Sequence, residues 1–345
     1  MRERPAFTSL VTPITSTEES QMTSQRDALY PTEEGFVQPF PADELLHNDV
    51  PPDADFTLSE TSYFGFNIPE AGIDCEIYAW FHPTLRVVSG GLMIFQGYKT
   101  VAGQADFLDY RNTMPYPDGD IDDVHYPTGV RIRVVEPLEH IEIQFESPDG
   151  QTKLDVTCRA IMPAAGRTDG RHFVQAMKCN GELLLRGERH VIDSYFTRDR
   201  SYLLPRAEVE HPVEPFSWAA GVFGDDLAFH VVGGDSEEMS PKAAHWGYIW
   251  RDGELRGLSQ MRKKTLREAD GIWPTSVEID LVDSRGDTYE IRGTGRSLLP
   301  FPFWPNMITN LMFTRWELNG RVGHGDYQDI HFGHTLREIP SPVRG

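Results

Sequence analysis

Apolar side chains recur at every second position along much of this chain, and that spacing admits little besides β-structure. Ile73, Cys75, Ile77, Ala79 and Phe81 alternate with Asp74, Glu76, Tyr78 and Trp80. A period of two sends successive side chains to opposite faces of an extended strand. The pattern returns in Val130, Ile132 and Val134, in Ile141, Ile143 and Phe145, in Leu154, Val156 and Cys158, and in Val277, Ile279 and Leu281. Turn chemistry separates the runs: Pro148-Asp149-Gly150, Asn180-Gly181, Asp252-Gly253, Arg285-Gly286-Asp287 and Asn319-Gly320. Asn-Gly and Asp-Gly accept the positive φ angles of tight hairpins. Helical spacing is confined to residues 45–48, with a turn expected near 261–268. Many short strands with regular turns predict an all-β barrel or sandwich.

The chain also echoes itself. EIQFESPDGQT (142–152) is matched without gaps by EIDLVDSRGDT (278–288), and Asn180-Gly181 and Asn319-Gly320 repeat at nearly the same separation. A duplicated β-unit of about 140 residues follows, long enough for an eight- to ten-stranded barrel holding one small ligand. The expected division is a leader at 1–40, extended or partly disordered, then barrels at 41–188 and 189–345. The leader is rich in Ser, Thr, Glu and Pro and has no sustained period.

Composition narrows the function. The 345 residues carry a formal net charge of −21, with Lys and Arg at 32 against 53 Asp and Glu. Phosphate binding needs the opposite balance, so nucleic acid is not an expected partner. No run reaches the roughly 18 apolar residues of a membrane helix, and the N-terminus shows no secretory signal. Cys75, Cys158 and Cys179 fit no metal spacing and read as buried free thiols of a reducing cytoplasm. The aromatic content, 11%, suits large cores or an apolar pocket.

Chemistry concentrates at His190, Asp193, Tyr195, Arg198, Asp199, Arg200, Tyr202 and Arg206, around the proposed seam. Arg and Asp so close in sequence form either a buried ion-pair network or a site that positions a carboxylate. On the strand 245–250, alternation sets Trp246, Tyr248 and Trp250 on one face, fit either to line a cavity or to pack a barrel. The acidic stretch 106–123 lacks the EF-hand spacing and reads as a solvated loop or a lid. His324, Asp326, Asp329, His331 and His334 lack a zinc spacing, and no metal is expected. Gly293-Thr294-Gly295 lacks the rest of a phosphate loop and no G-x-S-x-G elbow occurs, so no nucleotide cofactor or serine-hydrolase chemistry is expected.

The phrase Tyr195-Phe196-Thr197-Arg198-Asp199-Arg200-Ser201-Tyr202, followed by Pro205-Arg206, resembles the RD-(H/R)-S-W-G-x-R signature of the AttH-like proteins. These are related to the carotenoid 1,2-hydratases (hydroxyneurosporene synthases) and to some pericyclase-type Diels–Alderases. Asn180-Gly181 through Gly187, GYIWRDGEL (247–255) and NGRVGHGDYQD (319–329) fall where that group has similar elements, so the likeness runs from about residue 60 to the end. Tyr202 and Leu203 depart from it, standing where the signature has Trp and Gly.

The resemblance implies two lipocalin-like barrels packed together around a cavity for an isoprenoid or another apolar molecule. It implies a proton-donating Asp, matched best by Asp199 with Asp193 as the second choice, and an assisting His, matched loosely by His172. Protonating an alkene needs a carboxylic acid kept neutral in an apolar pocket, and an Arg paired to it would defeat this. Tyr195 and His245 complete the expected proton relay. Arg200, Arg206, Trp218, Trp246 and Tyr248 are the expected substrate contacts. The expected function is a cofactor-independent hydratase/lyase or isomerase/cyclase acting on a terpenoid, carotenoid, polyketide or aromatic molecule. A non-catalytic carrier of hydrophobic ligands and a purely structural β-protein are the alternatives, and a homodimer is open.

Overall fold

The computed structural model describes residues 36–51, 53–205, 214–304 and 306–336. The first sheet is made by β1 (Phe36–Val37), β2 (Leu58–Ile68), β3 (Ile73–His82), β4 (Val87–Gln96), β5 (Phe107–Pro115), β6 (Asp123–His125), β7 (Arg131–Glu136), β8 (His140–Glu146), β9 (Lys153–Ala160), β10 (Ala165–Arg167), β11 (His172–Leu185) and β12 (Glu188–Pro205). The second is made by β13 (Phe216–Gly224), β14 (Leu227–Gly233), β15 (Ser236–Ser240), β16 (Ala244–Arg251), β17 (Glu254–Arg267), β18 (Pro274–Asp283), β19 (Thr288–Trp304), β20 (Met307–Leu318) and β21 (Arg321–Phe332). Among the described residues no helix is long and apolar enough to cross a membrane.

The two sheets follow the same path. The first runs β5-β4-β3-β2-β12-β11-β9-β8-β7-β6, and the second runs β15-β17-β16-β14-β13-β21-β20-β19-β18. Matching β2 to β13 and β12 to β21 carries every neighbour along in register, from β5 with β17 to β8 with β18. The second sheet closes into an eight-stranded barrel through β17–β18, whereas the first stays a curled half-barrel. The protein is thus all-β, two consecutive lipocalin-like antiparallel barrels packed together. The echoed hairpins, β8–β9 and β18–β19, occupy equivalent places.

Three sequence expectations need correction here. Asn180-Gly181 is not a turn: β11 runs straight through it, and the hairpin turns at Arg186 (φ 51°) and Gly187 (φ 83°). Gly181 is required for another reason, since a Cβ there would meet the Asp155 carbonyl oxygen at 2.0 Å. Residues 261–268, where a turn was expected, fall largely in β17, and the helical spacing at 45–48 forms no helix, a 3₁₀ turn at Pro41–Glu44 lying just before it. The sheets change over between Pro205 and Phe216, because β12 pairs with β11 and β2 of the first sheet. Of the 1–40 leader, residues 1–35 lie outside the described residues.

Alternation decides what each face meets. On β3, Ile73, Cys75, Ile77 and Phe81 fill the first barrel. The opposite face, with Asp74, Glu76 and Trp80, is also buried, because the second barrel covers it. On β13, Ala219 packs inside the second barrel while Trp218, Ala220 and Val222 join the core of the first. Leu299, Phe301 and Phe303 of β19 meet Met93 and Phe95 of β4 across the same seam. The three cysteines are free and buried.

The N-terminal segment is tied into the first barrel by charge. Arg198 binds both carboxylate oxygens of Glu44, and its Nε donates to Gln175 Oε1 at 3.1 Å. Arg200 donates to Glu60 Oε2 at 2.8 Å, to the Asp43 carbonyl at 3.1 Å, and to the Leu45 carbonyl. Both arginines are 1% exposed.

Candidate functional site

A cavity of about 330 Å³ opens between the two barrels. From the first sheet β2 contributes Tyr63, β3 Tyr78, β11 His172, and β12 Asp199 and Ser201. From the second come Phe216 and Trp218 of β13, Phe303 and Trp304 of β19, and Ile330 of β21. The wall is aromatic on one side and carries titratable groups on the other, the usual make-up of a small-molecule site. A larger groove of about 600 Å³ lies on the outer first sheet, but it is lined by surface charges already paired, among them Arg131 with Asp123 and Lys153 with Glu146.

Strand alternation sets the orientation that matters most. Asp199 pairs with Tyr63 across β12–β2 and with Val174 across β12–β11, and it faces the cavity. Arg198 and Arg200, its neighbours in sequence, point to the other face of the sheet and are held by Glu44 and Glu60. His172 stands opposite Ser201, with Nδ1 2.8 Å from the Ser201 Oγ, and its ring meets Trp246 edge-on at 5.6 Å. Asp199, His172 and Trp218, all expected from sequence, are therefore brought together in one cavity.

Other expected residues are not. Asp193 is exposed and paired with Lys178, which holds its carboxyl below the usual range. Tyr195 donates to Asp225 Oδ1 at 2.9 Å outside the cavity, and burial together with that bond pushes its hydroxyl up to about 12. His245 is exposed on β16, near Phe216 at 6.5 Å. Arg200 is a buried structural cation, with no reach into the cavity. Trp246 and Tyr248 back the wall rather than line it, packing on Phe36 at 6.0 and 6.5 Å. Arg206 lies outside the described residues. In the stretch 106–123, Phe107–Pro115 is β5 at the sheet edge, while 116–122, which carries Asp118, Asp120 and Asp122, is the expected loop leading into β6.

One residue escaped the sequence reading. His230 of β14 is fully buried among Trp218 (4.7 Å), Trp246 (5.5 Å) and Tyr248 (5.7 Å), and among the described residues neither ring nitrogen has a side-chain hydrogen-bond partner. Its signal was a lone imidazole within the apolar run Leu227-Ala228-Phe229-His230-Val231-Val232. Burial, then the charge on His172, push its pKa well below the usual imidazole range. The unfolded chain therefore takes up a proton that the folded one refuses. Stability on this account is fully present above pH about 6.5 and falls as pH drops, by on the order of 1 kcal/mol per pH unit. Urea midpoints at pH 7.5 and 5.5 should show this slope, and His230→Phe should flatten it.

Leu203 explains a departure from the AttH signature. It stands where the signature has Gly and adopts φ 50°, at the register shift in the β12–β2 ladder between Ser201 and Leu204. Leu203 holds this left-handed conformation with a branched side chain, at a cost of about 1–2 kcal/mol. Leu203→Gly should recover about 0.5–1 kcal/mol after glycine's own entropy loss, read as a raised urea midpoint.

These features define the class, a pair of lipocalin-like barrels with a ligand-sized cavity at their junction. The chain belongs to the family whose model matches residues 40–330, described as a domain of unknown function (DUF7064). Among solved structures it is similar to NE1406 of Nitrosomonas europaea, a protein provisionally assigned as AttH. The TM-score is 0.50 at 14% identity, over 85% of this chain and 96% of that one. CghA, crystallised with Sch210972, gives 0.49 at 10% identity over 84% and 98%. Kievitone hydratase of Nectria haematococca gives 0.47 at 12% over 86% and 98%. At these identities the likeness is one of fold, and the expected AttH-like architecture is borne out at that level. No curated protein sequence matches the chain.

Proposed function

We propose that this protein is an enzyme that carries out acid/base chemistry on an apolar small molecule in the cavity between its barrels. The reaction is of the hydratase/lyase or isomerase/cyclase kind, and it needs no cofactor. Asp199 gives the proton, and the His172–Ser201 pair assists in moving or accepting one. Trp218 and Phe303 shield the electron-poor carbon that protonation creates. The observation that carries this reading is the orientation of Asp199, which faces an aromatic cavity while both flanking arginines are engaged elsewhere.

A volume of about 330 Å³ is at the small end of ligand cavities, roughly 300–1,000 Å³. A compact terpenoid, polyketide or aromatic substrate is favoured over a long carotenoid. The carrier reading requires only apolar walls, and an acid and an imidazole on the wall count against it. The three buried free thiols are in keeping with a reducing, cytoplasmic setting.

The test is native mass spectrometry of the purified protein, then extraction of bound molecules and incubation of each with fresh enzyme. A co-purified apolar compound that gains or loses water, or isomerises without mass change, supports the reading. A compound that binds and is returned unchanged would make the protein a carrier.

A further inference from the structure

Deeper in the seam, below Tyr63, three carboxylates meet. Asp74 and Glu76 project from β3 of the first sheet, and Asp326 answers from β21 of the second. All three are 1% exposed or less. An oxygen of each lies within 4.8 Å of the others. Among the described residues none of the three forms an ion pair. Both oxygens of Asp74, both of Glu76 and Oδ1 of Asp326 lack a hydrogen-bond partner, while Asp326 Oδ2 accepts from the Tyr63 hydroxyl at 3.0 Å.

A second, neutral group points the same way. Asn67, fully buried on β2, stands directly opposite Asp74 in the β2–β3 ladder. Its Nδ2 donates to the Tyr195 carbonyl at 2.9 Å, on the β12 side of its strand. Asn67 Oδ1 has no partner among the described residues, and its cross-strand pairing puts the side chain on the same sheet face as Asp74. An unpartnered amide oxygen beside five unpartnered carboxylate oxygens is a donor set suited to a cation.

We infer that Asp74, Glu76, Asp326 and Asn67 Oδ1 form a binding site for a divalent calcium-like cation that clasps the two barrels together. The donors are all hard oxygens, which suit Ca²⁺ and give little hold to softer metals. Oxygens on opposite sides of Ca²⁺, each at about 2.4 Å, are separated by about 4.8 Å, so carboxylate oxygens that all lie within 4.8 Å of one another can share one such ion. The site joins β3 to β21 and bears on assembly of the seam, apart from any reaction in the cavity.

The test is isothermal titration calorimetry of the chelator-stripped full chain with CaCl₂ at neutral pH, alongside melting curves. One Ca²⁺ per chain is expected, with a melting point that keeps rising with the logarithm of Ca²⁺ concentration. Glu76→Gln and Asp326→Asn should each abolish this stoichiometric event, while the surface control Asp118→Asn keeps it. Absence of heat and of any melting shift at millimolar Ca²⁺ in the unaltered protein overturns the site and leaves protons as what neutralises the cluster. Binding that persists unchanged in both folded variants also overturns it, being adsorption to a surface of net charge −21.

Discussion

Asp199→Asn is expected to lower turnover by about 10²–10⁴-fold, the usual contribution of a positioned general acid. That corresponds to roughly 3–5 kcal/mol in the barrier. The amide keeps the shape and the hydrogen-bonding capacity of the side chain but has no proton to give. Ligand binding, read by native mass spectrometry or fluorescence quenching of Trp218, should change far less than the rate. Asp193→Asn supplies the control: its carboxylate is exposed and paired with Lys178, and the variant should work as well as the parent. An Asp199→Asn protein with parental turnover would remove the acid from the proposal and move attention to His172 and Tyr63.

The barrels were legible because alternation and turn residues are local signals. The division between Asp199 and its flanking arginines was legible too, since successive residues of a strand face opposite ways. What a local reading missed was where the arginines go. Glu44 and Glu60 lie far back in the chain, and nothing near residue 200 reveals that a 3₁₀ turn and a strand end will deliver them. The Asn180-Gly181 hairpin failed for a related reason. Glycine serves either a positive φ or a close approach, and only the packing of β9 against Gly181 tells which.

The seam was harder still. Asp74 and Glu76 looked like the solvent face of a half-buried strand, which is what such spacing means in a single barrel. A second barrel covers that face and turns two surface acids into buried ones. Asp326 was visible among a group of histidines and acids near the C-terminus, but its partners come from β3, at the other end of the chain. His230 was lost to the opposite habit, in which an isolated polar residue in an apolar run is read past.

Arg200→Met should destabilise the fold by about 3–5 kcal/mol, the cost of stranding a buried partner charge. Glu60 would remain fully buried, and the Asp43 and Leu45 carbonyls would lose their donor. The His47 backbone N–H, which donates to Glu60 Oε1 at 3.0 Å, offsets little of that charge. A fall of this size in the urea-derived unfolding free energy is the expected result, with the slope of the transition unchanged if only stability is affected. The double variant Arg200→Met/Glu60→Gln should regain part of the loss, because the uncompensated charge, not the missing contact, dominates the penalty. A substrate-binding arginine would behave in the opposite way, costing ligand affinity while leaving the midpoint alone. The folded fraction of Arg200→Met should bind ligand as the parent does, since the guanidinium sits on the far side of β12 from the cavity that Asp199 faces.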